Sequence, residues 1–304
     1  MHKLLILSKQ AEAYRALIEQ AHLPDLVFEA YPGPEVDIVF GETGMIKGVL
    51  ASLPALTWVQ STSAGVESLM DPALRRDYIL TNARNVFGRL MSEYVIGYLL
   101  AHERQIFKRL ADQQAGEWNH ENAGVLYGKT IGLLGVGSIG AELARTAKFF
   151  EMTVHGYTRE SKESPHVDRY FHGKDILEFA RGLDYLISVL PNTHNTRKIV
   201  NADLLNALPD HVLFVNVGRG STVDEVALAE ALNQRKIAGA VLDVFEQEPL
   251  PRDHPFWTTP NLLMTFHTSA PSLPEDLAKV FIENYRIFFE GKPLKYQVDF
   301  ERGY

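Results

Sequence analysis

The amino-acid sequence predicts an α/β protein of two domains, each built on a parallel sheet. Short apolar runs of strand length alternate with stretches of helical periodicity along most of the chain. A glycine-rich turn at residues 135–140 joins one such run to one such helix. The length, 304 residues, is enough for two domains of ordinary size.

The elements follow in order. Residues 4–7 are continuously apolar, as in a strand covered on both faces. This run is too short for a signal-peptide core and is followed by polar Lys9 and Gln10. Residues 10–20 read as a helix and 38–40 as a strand, with Gly41 and Gly44 in the turn behind it; 57–60 and 79–82 are further strands. From Ser92 to about Leu110 the pattern predicts one long connecting helix, with Val95, Tyr98, Leu99, Ile106 and Leu110 on its apolar positions. Residues 112–128 are polar, contain three glycines and read as a loop.

From Thr130 the pattern sharpens. Residues 131–134 form a strand, and 139–150 a helix whose Ile139, Leu143, Ala147 and Phe150 share a sheet-covering face. Strands are expected at 153–155, 186–190, 212–215, 239–244 and 262–266, with helices near 174–180 and 223–234 between them. An amphipathic helix over about 274–290 carries Leu277, Val280, Phe281 and Phe288.

Composition narrows the function classes. Hydrophobic residues make up 46% and charged residues 22%, a globular balance. Thirty basic residues against 38 acidic ones give a formal charge of -8, and no lysine- or arginine-rich run supports a general nucleic-acid surface. Having no cysteine, the chain cannot use a disulfide, a thiolate nucleophile or a cysteine-ligated metal. That composition suits a reducing compartment, and a cytoplasmic location is expected. No apolar segment approaches the roughly 20 residues needed to span a bilayer.

The 135–140 turn, Gly135-Val136-Gly137-Ser138-Ile139-Gly140, matches G-x-G-x-x-G between a strand and a helix, as in a Rossmann-type dinucleotide-binding domain. Gly135 permits the tight turn, Gly137 lets the backbone approach a diphosphate, and Gly140 lets helix and strand pack. Amides at the start of the helix, around Ser138 and Ile139, favour the anion. An NAD site normally has Asp or Glu near the end of the following strand. Here the segment reads Tyr157-Thr158-Arg159-Glu160, so Arg159 and Thr158 point to a 2′-phosphate and NADP(H), with Ser161 and Lys162 nearby. Glu160 leaves NAD(H) possible, and Arg159 and Lys162 as plain solvated charges are the bland alternative.

Two strand ends carry candidate chemistry. Asn216-Val217-Gly218-Arg219-Gly220 follows the 212–215 strand, and Arg219 there can grip a carboxylate with a two-pronged hydrogen bond; a surface ion pair is the competing reading. His267 follows the 262–266 strand. Reducing a carbonyl with hydride needs a proton at the oxygen, and an imidazole beside a carboxylate supplies it. Glu246 and Glu248 both qualify as that carboxylate, and a structural histidine is the competing reading in a chain with 11 of them.

With these motifs in view, the chain resembles the D-isomer-specific 2-hydroxyacid dehydrogenases over nearly its whole length. The resemblance rests on residues 128–140, then Leu190-Pro191-Asn192-Thr193, Asn216-Val217-Gly218-Arg219-Gly220, Leu242-Asp243-Val244-Phe245 and Glu248-Pro249-Leu250. It implies catalytic roles for Arg219, Glu248 and His267. Gly135, Gly137, Ser138, Ile139, Gly140, Thr158, Arg159, Pro191, Val217 and Asp243 are then cofactor-binding, Asp243 through the carboxamide. The substrate is implied to meet Ala64, Gly65, Arg219 and His267, with Ala64 and Gly65 in the 63–67 loop whose amides face its carboxylate. A flavodoxin-like substrate-binding domain of residues 1–98 and 270–304 and a dinucleotide domain of 99–269 are implied, with closure of the cleft between them excluding water. Met91-Ser92-Glu93 matches a segment that contributes to a dimer interface in relatives, so a homodimer is expected.

The implied activity is hydride transfer between NADP(H) and C2 of a small 2-oxo or 2-hydroxy acid such as glyoxylate or hydroxypyruvate. It needs no metal. One departure stands out: the family usually has proline before the histidine, and this chain has Phe266, which changes backbone stiffness or pocket width. Trp58, Tyr94, Trp118 and Trp257 are candidates to shape the substrate side chain or simply to pack. An NAD-linked dehydrogenase of a larger 2-hydroxy acid is the alternative within the enzyme class. A non-catalytic dinucleotide-responsive regulator is the alternative outside it.

Overall fold

The computed structural model describes residues 1–159 and 164–303. Its strands, in chain order, are β1 (His2–Leu7), β2 (Leu26–Glu29), β3 (Ile38–Gly41), β4 (Trp58–Ser61), β5 (Ile79–Thr81) and β6 (Thr130–Leu134). They continue as β7 (Thr153–Tyr157), β8 (Arg169–Phe171), β9 (Tyr185–Ser188), β10 (Leu213–Asn216), β11 (Gly239–Leu242) and β12 (Leu262–Met264). The helices are α1 (Ala11–Gln20), α2 (Thr43–Val49), α3 (Gly88–Glu103), α4 (Ile106–Ala115) and α5 (Ser138–Phe149). After them come α6 (Ile176–Ala180), α7 (Ala202–Ala207), α8 (Glu225–Asn233) and α9 (Pro274–Phe289).

The chain forms two compact units, one of Met1–Val86 with the stretch from Ser272 onward, the other of Phe87–Pro271. The first unit's N-terminal stretch ends just ahead of α3, which packs against α5 of the second unit.

In the first unit all strand pairs are parallel and the order is β2-β1-β3-β4-β5, the flavodoxin-like arrangement. Helix α9 closes one face of this sheet. Its Phe281 stacks on Trp58 with ring centroids 5.2 Å apart and on Phe40 at 5.0 Å. Trp58 is fully buried there and its indole N–H donates to Thr81 Oγ1 at 2.8 Å. Of the two readings of Trp58, packing is therefore the correct one; a side chain sealed in the core cannot meet a substrate.

The second unit has the order β12-β11-β10-β9-β6-β7-β8, again all parallel. Counted from β6 as the first strand and read from β8, that is 3-2-1-4-5-6-7, the Rossmann order with a seventh strand added. Both faces are covered, so β9, β10 and β11 are buried at every position and are apolar up to the polar Ser188 and Asn216 that end β9 and β10. One face packs Phe179, Leu186, Phe214, Leu228 and Phe256; the other packs Ile131, Leu143, Val154, Ile187 and Val215 with Val95 and Leu99 of α3.

Three expectations need correction. The single helix from Ser92 to Leu110 is two helices, because Gln105 adopts a left-handed conformation (φ 53°) and ends the first. The second, α4, runs to Ala115 and stops at Gly116 (φ 72°), so the loop starts later than residue 112. Gly44 lies inside α2, not in a turn. Strands β2 and β8 and helices α2 and α7 have no counterpart among the expected elements.

Candidate active site

The glycine turn leaves β6 beside β9, where the strand order reverses and ligands meet open α/β sheets. Gly135 has φ +99°, a conformation few side chains adopt, and its amide donates to Tyr157 O at 3.0 Å. A Cβ on Gly140 would stand 2.2 Å from Gly135 O, so α5 seats directly on the turn. Gly137 is different: nothing lies within 4 Å of a Cβ placed there, and Gly137 and Ser138 are exposed while Ile139 is half-buried. Open space above the first turn of α5, with no side-chain cap on its N-terminus, fits a diphosphate.

At the end of β7, Thr158 N donates to Phe171 O at 3.1 Å and His172 Nδ1 donates to Thr158 O at 2.8 Å. Tyr157 is occupied elsewhere, its hydroxyl donating to Gly173 O. Arg159 is exposed just beyond, so the described end of β7 presents a cation and a hydroxyl and no carboxylate. Glu160, Ser161 and Lys162 lie outside the described residues.

The second group grows from the C-terminal ends of three adjacent strands, β10, β11 and β12. After β10, buried Asn216 organises the next turn: its Oδ1 accepts from Gly218 N and its Nδ2 donates to Arg219 O, both at 3.1 Å. Arg219 is half-buried, with Nη1 donating to Gly218 O at 2.8 Å. The glycines either side are required by close contact. A Cβ on Gly218 would meet Leu190 O at 2.7 Å, and one on Gly220 would meet the Phe245 carbonyl carbon at 1.8 Å. The turn bearing Arg219 thus lies against the backbone of both the β9 and β11 exits. Pro191 is exposed, its carbonyl accepting from Thr196 Oγ1 at 2.6 Å, whereas the Val217 side chain is buried and only its backbone can serve a ligand.

His267 Nδ1 meets Glu248 Oε2 at 2.8 Å, and Glu248 Oε1 accepts from Phe245 N at 3.0 Å. Glu246, the other candidate, pairs with Arg197 at 2.7 Å. With Nδ1 engaged by a carboxylate, the imidazole keeps Nε2 as its reactive edge. Among the described residues no group of three or more His, Asp or Glu side chains is placed to hold a metal ion.

Asp243 anchors the histidine turn. Its Oδ1 accepts from Thr265 Oγ1 at 2.5 Å and Thr268 N at 2.8 Å, its Oδ2 accepts from Ser269 N at 2.9 Å, and its carbonyl accepts from His267 N at 2.7 Å. Those contacts hold His267 at φ 57°, a left-handed conformation uncommon outside glycine. Full burial pushes the Asp243 carboxyl up, but the donors from Thr265, Ser269 and Thr268 outweigh it and leave the pKa below the ordinary aspartate value. Behind them, Tyr94 of α3 shares a 2.6 Å hydrogen bond with Thr265 Oγ1. Burial raises the Tyr94 pKa, so the hydroxyl stays protonated. Thr265, Thr268 and Ser269 were not singled out in the sequence, where hydroxyl residues near a histidine form no motif of their own.

In the first unit, Ala64 and Gly65 sit in the loop after β4. Asn82 Nδ2 donates to Ala64 O at 2.8 Å and Ala83 N to Ser63 O at 3.1 Å, which fixes the loop against the end of β5.

The sequence profile of the NAD binding domain of the D-isomer specific 2-hydroxyacid dehydrogenases matches residues 96–269. A glyoxylate/hydroxypyruvate reductase A of Klebsiella pneumoniae is 33% identical over 257 residues, 82% of each chain. The crystal structure of a D-isomer specific 2-hydroxyacid dehydrogenase family protein from Aeromonas salmonicida superposes with a TM-score of 0.94 at 40% identity, covering 98% of this chain and 99% of that one. A D-isomer specific 2-hydroxyacid dehydrogenase from Xanthobacter autotrophicus, solved with NADPH and MES, gives 0.90 at 32% identity over 100% of this chain and 99% of the other. The chain belongs to the D-isomer-specific 2-hydroxyacid dehydrogenases, NAD(P)-dependent oxidoreductases of small 2-hydroxy and 2-oxo acids.

Proposed function

We propose that this chain is an NADP(H)-preferring reductase of a small 2-oxo acid of the glyoxylate or hydroxypyruvate kind. The observation that carries this reading is the 2.8 Å His267–Glu248 pair at a sheet end shared with the turn that bears Arg219. When bound, the nicotinamide cofactor supplies the hydride for C2.

The chain's own residues do the rest. Arg219 holds the substrate carboxylate and polarises the carbonyl. Protonated His267 delivers a proton from Nε2 to the oxygen as negative charge develops there, and Glu248 orients the ring and stabilises its charged form. In oxidation neutral His267 accepts that proton. Ala64 and Gly65 offer backbone amides to the carboxylate. Gly135, Gly137, Ser138, Ile139 and Gly140 hold the diphosphate, Thr158 and Arg159 the 2′-phosphate, and Pro191 and the Val217 backbone line the path to the nicotinamide. Asp243, held in place by Thr265, Thr268 and Ser269, serves its carboxamide.

The NADP(H) preference is supported by Arg159 and Thr158 beyond the end of β7. A homodimer is supported by α4, which buries no residue and leaves Ile106, Phe107 and Leu110 exposed, with Trp118 exposed just beyond it. A cytoplasmic location is supported by the absence of cysteine. No helix among the described residues is long and apolar enough to cross a membrane.

Steady-state assays of glyoxylate and hydroxypyruvate with NADPH and NADH test the reading. Reduction of either acid, with a higher kcat/KM for NADPH, is expected. Tight NADPH binding without turnover of any 2-oxo acid would replace this reading with a regulatory one.

A further inference from the structure

The Glu248–His267 pair opens on a cavity of about 450 Å³ within the second unit. Its other walls are Phe245, Pro249, Leu250, Trp257 and Phe266. Two aromatic rings of its lining are exposed and face each other: Phe266 is 62% exposed and Trp257 46%, with centroids 6.1 Å apart. The Trp257 indole N–H is spent on Pro251 O at 2.7 Å, so the ring offers carbon rather than a donor. Among the described residues, Glu248 and His267 are the only ionisable side chains of the lining, and they are hydrogen-bonded to each other.

A 2-oxo acid presents three groups at C2: a carboxylate, an oxygen and the C3 substituent. Assigning the carboxylate to Arg219 and the oxygen to His267 leaves the C3 substituent to be housed. We propose that this cavity is its subsite, and that the substituent it accepts is apolar, branched alkyl or aryl. The inference rests on the 2-oxo acid reading above and goes beyond its glyoxylate and hydroxypyruvate kind, extending the substrate range to acids with a hydrocarbon side chain. A second carboxylate or a phosphate at C3 is disfavoured here: among the described residues the lining holds no lysine or arginine, and the Glu248 carboxylate already stands in it. Aromatic and aliphatic walls with a few convergent polar groups at one end are the ordinary make-up of a ligand pocket.

The test is kcat/KM with NADPH for glyoxylate, 4-methyl-2-oxopentanoate, phenylpyruvate and 2-oxoglutarate, in the wild type and in Trp257→Ala, Phe266→Ala and Trp257→Phe. Both replaced side chains are partly exposed, and thermal melts confirm that the variants fold. The wild type is expected to reduce both apolar acids at least about 10-fold more efficiently than 2-oxoglutarate, the discrimination available to a pocket from apolar contacts. Each alanine variant is expected to lower kcat/KM for the apolar acids roughly 10-fold more than for glyoxylate, with Trp257→Phe recovering part of the loss. Turnover of glyoxylate without either apolar acid overturns the subsite and leaves the reductase reading standing. So does an equal change for every acid in the alanine variants. Failure to reduce any of the four overturns the reductase reading and the subsite together.

Discussion

The hydroxyl of Thr265 lies 2.5 Å from Asp243 Oδ1 and 2.6 Å from the hydroxyl of Tyr94, so one side chain ties α3 to the turn that carries His267. Thr265→Val keeps the shape and removes both hydrogen bonds. It should cost about 1–3 kcal/mol, the usual penalty for stranding buried polar partners, measured by urea unfolding. The Asp243 share of that loss has a pH signature. Its folded pKa is depressed, so its stabilisation is present above the ordinary carboxylate value and is lost as pH falls through the lower folded value. The variant narrows that gap. Its deficit should therefore be largest at neutral pH and shrink once the pH drops below about 4; a deficit independent of pH would remove Asp243 from the account.

Proton delivery is tested at His267 itself. His267→Ala should lower kcat for reduction by about 10²–10⁴-fold, the range for loss of a general acid, while the NADPH Kd changes little. Glu248→Gln can still accept from Phe245 N but no longer places a charge beside the imidazole, and should cost about 10–100-fold in kcat, as for a group that orients a ligating or catalytic histidine. Unchanged turnover in either variant would remove that residue from the mechanism.

Gly220 has no room for a side chain against the Phe245 carbonyl. Gly220→Ala must push the Arg219 turn off the β11 exit, and a loss of about 3 kcal/mol is expected, at the upper end for overpacking. Chemical denaturation measures it. Gly137→Ala faces open space, so its effect should fall on NADPH affinity and spare stability.

Cofactor choice is tested at Arg159. Arg159→Ala should weaken NADPH by about 10-fold or more, the value of a charge-assisted hydrogen bond, and barely alter NADH. Equal weakening of both would reject the 2′-phosphate assignment.

The exposed apolar face of α4 predicts self-association. Light scattering should find a dimer, and Phe107→Asp should shift it toward monomer by putting a charge into the buried surface. A wild-type monomer at micromolar concentration would dismiss the dimer.

The second unit was the more legible part of the sequence, because strands buried on both faces read as apolar runs and the glycine turn has a fixed spacing. The short elements β2, β8, α2 and α7 were not legible, nor was the break at Gln105, where a left-handed residue that is not glycine carries no marker. Arg219, Glu248 and His267 stood out through motif resemblance, which pointed to Glu248, whereas the residues by themselves left Glu248 and Glu246 level.

What the sequence determined by itself was the class of fold, the position of the nucleotide turn and the residue types that make hydride chemistry possible. Tertiary structure decided which carboxylate meets His267, because Glu246 turns to Arg197 and Glu248 turns to the imidazole. It also decided how the histidine is held. The donors that fix Asp243 come from the turn after β12, more than twenty residues along the chain, and only parallel pairing of β11 with β12 brings them within hydrogen-bond distance. Burial is likewise a property of the fold: Trp58 and Trp257 are the same residue in the sequence, but one is sealed beneath α9 and the other lines a cavity beside His267.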